Sequence, residues 1–160
     1  MHYSYRMSPT AATDDDLLAL DRQVCFALVT AARDVVALYR EVLEPLGLTH
    51  PQYLVMLALW EESPQSVRSL GRRLSLEPAT LSPLLRRLEA AGLLERRRNP
   101  VDERALAVEL TAAGTALRAK ALDVPPTIMA RLGIGESELV AARDMLLDVG
   151  RAARAGLAAG

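Results

Sequence analysis

Apolar residues recur at three- and four-residue spacing from Val67 to Gly92, whereas from Ala105 to Leu110 the period is two, with Leu106, Val108 and Leu110 on one side and Ala105, Ala107 and Glu109 on the other. The two periods bury different faces, so this stretch is neither all helix nor all strand. Ser66 is placed to cap a short helix, Val67 to Leu74, and a second runs from about Glu77 to Ala91 and stops at Gly92. Leu93 to Glu109 reads as a β-hairpin: Asn99-Pro100-Val101-Asp102 supplies turn chemistry, and arginines crowd the tip. Pro83 costs the second helix a backbone hydrogen bond and is expected to bend it slightly or to mark its first turns.

Helical periodicity dominates the flanks. Leu17, Leu20, Val24, Ala27, Leu28, Ala31, Val35 and Leu38 define one face of a long helix. Thr13 is its expected cap, Asp14 to Asp16 its acidic first turn, and Gly47 its C-terminal stop. A further helix starts at Thr49-His50-Pro51 and is stopped by Ser63-Pro64. Thr111 is placed to cap a helix through Ala121 that meets Val124-Pro125-Pro126, and a last helix runs from about Glu136 to Gly156, with a face too apolar for a solitary surface helix. Residues 1–13 lack periodicity and are expected to be flexible.

Four helices followed by a hairpin is the order of a winged helix-turn-helix. The expected fold is therefore mainly α with a small β-hairpin, with residues 48–110 as the DNA-binding region and residues 14–47 and 111–157 as helical dimerisation arms. Formal net charge is only −1, but residues 65–104 carry nine arginines against five acids, a local +4 that leaves −5 for the remainder. Such a region suits phosphates, although arginine counts alone also fit a solvated helical face. On the helix from Glu77, Thr80 and Ser82 are placed to meet base edges or phosphates, with Arg86 and Arg87 one turn later. Arg96 and Arg98 lie on the wing and are further expected DNA-binding residues. Arg104 suits a narrow minor groove, with Asp102 as its structural partner. The expected partner is a double-stranded DNA operator.

No apolar run approaches the ~18 to 20 residues of a membrane span, and residues 1–16 lack the apolar core of a signal peptide, so no membrane partner and a cytoplasmic location are expected. His2 and His50 are the only histidines and Cys25 the only cysteine, so neither a metal site nor an intrachain disulfide is expected, and nothing calls for a cofactor. A lone cysteine in an apolar helix is commonly a small core residue; the alternative is a reactive thiol.

The block Leu70-Gly71-Arg72-Arg73-Leu74, the run from Thr80 to Leu93 and Asp102-Glu103-Arg104 resemble MarR-type transcriptional regulators, with a departure at Glu77-Pro78-Ala79, where many relatives carry Asp-Ser-Gly. The segments Leu20 to Leu28, Tyr39-Arg40, Leu48 to Glu61 and Val124 to Ile128 resemble the organic-hydroperoxide-responsive OhrR branch of that family. The resemblance implies that Cys25 is a peroxide-sensing residue, with hydroxyl groups at the positions of Tyr39 and His50 helping to hold its thiolate and Tyr53 beside them. His50 departs from the branch, where a tyrosine usually precedes Pro51-Gln52-Tyr53. Cys25 and Tyr39 lie fourteen residues apart on one predicted helix, about 21 Å along its axis, so a thiol site using both requires a homodimer with two composite sites. Organic hydroperoxides and a small cellular thiol, which would cap the oxidised cysteine, are then the implied small-molecule partners. Rival readings are a repressor released by a small aromatic ligand, with Cys25 structural, and a thiol peroxidase, disfavoured by the helical pattern and the missing resolving cysteine. A regulator rather than an enzyme is expected.

Overall fold

The structure, a computed structural model, describes residues 18–98 and 106–159. The chain divides after Leu38 into two units. The first, as far as it is described, holds a short 3₁₀ turn, Leu20–Arg22, and most of helix α1, Val24–Leu43. The expected single helix from Asp14 is thus corrected within the described part, because Gln23 is extended and separates the turn from α1. Apolar spacing reports a shared face and not backbone continuity.

The second unit, from Tyr39, begins with the end of α1, which closes through a 3₁₀ turn, Glu44–Leu46, onto Gly47 at φ +68°, the left-handed stop expected there. Then come α2 (His50–Glu61), β1 (Gln65–Ser66), α3 (Val67–Leu74), α4 (Pro78–Ala90), β2 (Leu94–Arg98), β3 (Leu106–Leu110), α5 (Ala112–Ala121), α6 (Val124–Leu132) and α7 (Glu136–Ala158). Local chemistry fixes many of these boundaries. The Gln52 side chain accepts from the Thr49 backbone N–H at 2.8 Å, Ser66 Oγ accepts from Ser69 N–H, and Thr111 Oγ from Gly114 N–H, each at 3.0 Å.

Helix α2 is the centre of this unit. Tyr53, Val55, Met56, Ala58 and Leu59 are buried around most of its circumference, as in a helix packed on several sides. Leu70, Leu81, Leu85 and Leu88 from α3 and α4 join them, with Leu94 and Val108 from the strands. The hairpin is part of a larger sheet than expected: order β1-β3-β2, antiparallel, with Gln65 opposite Val108 and Arg96 opposite Val108 on the other side. Val124-Pro125-Pro126, which the preceding helix was expected to meet, forms the first turn of a further helix, α6, where an N–H has no intrahelical partner to lose.

Candidate DNA-reading and sensing sites

Helix α4 presents the expected contact residues. Thr80 and Arg86–Arg87 are exposed and Ser82 half-buried, while Leu81, Leu85 and Leu88 face the core. Pro83 lies inside the helix without ending it. The arginines fall into two groups that sequence counting could not separate. Arg68 and Arg72 on α3 and Arg86 and Arg87 on α4 are exposed and have no ion-paired partner among the described residues. Arg73 is engaged by Glu61 and, at 3.3 Å, by Glu62, while Arg97 pairs with Glu95. Arg96 is held by Glu89, whose Oε2 accepts from Nε at 2.9 Å. Those side-chain hydrogen bonds from Arg96 hold the Glu89 carboxyl below the usual glutamate range. Free cations are available for phosphates at no cost in broken pairs, so Arg68 and Arg72 join Arg86 and Arg87 as candidates. Arg98 ends β2; its side chain, the expected turn Asn99 to Asp102 and Arg104 lie outside the described residues, as do residues 1–17 with the expected cap Thr13 and acidic turn Asp14 to Asp16.

In the first unit, Cys25 stands in the first turn of α1 and is exposed in the single chain, as are Val24 and Phe26. The thiol is therefore not part of this chain's core, contrary to what a lone cysteine in an apolar helix usually is.

In the second unit, Tyr39, His50 and Tyr53 come together. The ring centroids of Tyr39 and His50 are 4.8 Å apart in an edge-on arrangement, and Tyr53 lies 6.1 Å from Tyr39. Burial lowers the His50 pKa from 6.5, so the imidazole is neutral at neutral pH, and burial raises both tyrosines, Tyr53 with a further push from Tyr39. The train of rings continues to Trp60, 6.4 Å from Tyr53, whose indole N–H donates to the Gly114 carbonyl at 2.9 Å. Beside Tyr53 and Trp60 a cleft of about 240 Å³ opens, walled by Leu57, Ala121, Leu122 and Pro125, with Arg118 and Glu61 at polar positions. Sequence reasoning missed this cleft because its walls come from α2 and from segments sixty residues downstream.

No group of three or more His, Cys, Asp or Glu side chains capable of holding a metal occurs among the described residues, and no helix among them is long and apolar enough to cross a membrane.

Residues 48–106 match the MarR family model. The chain is 40% identical over 114 residues to the organic hydroperoxide resistance transcriptional regulator of Bacillus subtilis, covering 71% of this chain and 78% of that protein. Reduced AbfR bound to DNA superimposes with a TM-score of 0.73 at 31% identity, covering 87% of this chain and 97% of AbfR. BpsR of Bordetella bronchiseptica, whose DNA binding is regulated by 6-hydroxynicotinic acid, gives 0.75 at 26% identity over 82% of this chain and 96% of that one.

Proposed function

The chain belongs to the MarR family of DNA-binding transcriptional regulators, and from that footing we propose that it is a homodimeric repressor that senses organic hydroperoxides through Cys25 and then releases its operator. The observation that carries this reading is the exposure of Cys25 in a chain whose relative, at 40% identity, is an organic hydroperoxide resistance regulator. Residues 14–47 and 111–157 form the dimer arms and residues 48–110 the reader. Tyr39, His50 and Tyr53 of one subunit serve Cys25 of the other, and the neutral imidazole acts as a hydrogen-bonding group in place of a hydroxyl.

In the reaction, the Cys25 thiolate attacks the terminal peroxide oxygen, the O–O bond breaks and the alcohol leaves after taking a proton. The product is a sulfenic acid, which a small cellular thiol converts to a mixed disulfide with loss of water. A bulky adduct at a subunit interface changes the spacing of the two α4 helices, which must match half-sites about 34 Å apart. Thr80, Ser82, Arg86, Arg87, Arg98 and Arg104 make the DNA contacts, with Asp102 supporting the wing.

A second reading is favoured by the cleft: a small aromatic acid lying against Tyr53 and Trp60 near Arg118 releases the DNA with Cys25 unchanged. One experiment separates the two. The protein is bound to a fluorescent duplex selected from a random library, and anisotropy and intact mass are followed with cumene hydroperoxide or with 4-hydroxycinnamate. With a small thiol such as free cysteine present, release by the hydroperoxide together with the mass gain of one disulfide-linked thiol is expected; release by the phenolic acid alone, at constant mass, would replace the first reading with the second.

A further inference from the structure

Helix α4 leads into the hairpin through Gly92, at φ +72°, and strand β2 leaves that turn as an edge strand, paired among the described residues with β3 alone. An edge strand has backbone groups with no partner in the sheet. Here Glu89, in the last turn of α4, covers one of them. Its Oε1 accepts from the Arg96 backbone N–H at 3.1 Å, and its Oε2 from Arg96 Nε at 2.9 Å and from a terminal guanidinium nitrogen at 2.5 Å. A single carboxylate thus holds both the backbone and the side chain of one strand residue, across a turn whose glycine alone gives no stiffness. The two side chains are about one-third and one-quarter exposed, so water competes for the contact only in part.

We infer that Glu89 is a positioning residue for operator binding: through Arg96 it fixes the angle at which the wing leaves α4, and Arg96 serves this joint and not a phosphate. The two buried residues beside it, Leu88 and Leu94, hold the joint by shape, but apolar contacts alone permit a strand to swing about the turn; the directional fork from carboxylate to guanidinium does not. Simple electrostatics opposes any other benefit to DNA binding, because a carboxylate on a helix that faces phosphates repels them. This inference rests on the DNA-binding half of the reading and is independent of what the sensor detects.

The test uses Glu89→Gln, Arg96→Ala and the double variant of the full-length protein, each checked for folding by circular dichroism at the assay temperature. The probe is the selected fluorescent duplex, titrated across a range of KCl concentrations. Each single variant is expected to weaken binding on the order of tenfold and the double variant no further, because both remove the same joint. The slope of log affinity against log salt stays at the wild-type value. On a duplex trimmed of the outer base pairs that a wing reaches, Glu89→Gln and wild type bind equally, which a mere loss of fold stability would not produce. Tighter binding by Glu89→Gln, as charge removal alone gives, would overturn the inference. So would additive losses, or a slope lowered by about one in Arg96→Ala, the signature of a lost phosphate contact.

Discussion

Gly114 admits no side chain. A Cβ built there would lie 1.9 Å from the Leu93 carbonyl oxygen, a backbone atom that cannot turn away. Its own carbonyl also receives the Trp60 indole. Gly114→Ala is therefore expected to destabilise the protein by ~3 kcal/mol or more, the upper range of overpacking, read as a lower denaturant midpoint. His50 carries a pH dependence of known sign. Burial lowers its pKa below 6.5, so the unfolded chain takes up the proton first; the contribution is complete above about pH 6.5 and is lost as pH falls through the folded value. Between pH 7 and pH 5 the denaturant midpoint of wild type is expected to fall more steeply than that of His50→Tyr, which has no group titrating in that window at position 50. Parallel profiles would mean that the ring cluster of Tyr39, His50 and Tyr53 does not shield the imidazole.

At the scale of elements, the caps were legible and the partnerships were not. Ser66, Thr49 and Thr111 announce their helices because a cap involves residues three positions apart. Strand β1 is two residues long and acquires its meaning from Val108 and Ala107, more than forty positions downstream, which no local pattern encodes. Helix α6 was hidden by Pro125 and Pro126, residues that break a helix in its interior and begin one at its first turn. The DNA-reading face was legible as a charge excess but not as a set of contacts, because the acids that neutralise Arg73, Arg96 and Arg97 include members of other elements. The sorting has a direct consequence. Arg86→Ala, which removes an unpaired cation, is expected to lower the salt slope of operator binding by about one. Arg73→Ala, which removes a cation already held by Glu61 and Glu62, is expected to leave the slope near wild type.

At the scale of the whole molecule, α7 buries none of its residues among those described, and its apolar side chains stand open. Met145, Leu146 and Leu147 are each at least half exposed, and Val140 and Val149 only slightly less. Apolar side chains in that density fit the proposed dimer interface, a second copy of the chain being the partner that the proposed composite site requires. Leu146→Asp is expected to shift the protein to monomer in sedimentation and to lower operator affinity at least tenfold, since two half-sites are then no longer bound together. Residue patterns alone show the proposed thiol site only as a lone cysteine; the family resemblance sets Tyr39, His50 and Tyr53 beside it, and the fourteen-residue spacing of Cys25 and Tyr39 on one helix requires a second subunit. What no pattern shows is that Cys25, in the first turn of α1, is exposed in the single chain and not a core residue. Whether that thiol is the switch is decided most directly by Cys25→Ser, which keeps the size of the side chain and removes its peroxide chemistry. The variant is expected to bind the selected duplex as tightly as wild type and to remain bound after cumene hydroperoxide at a dose that releases wild type. Release of the variant at the same dose would contradict sensing through Cys25.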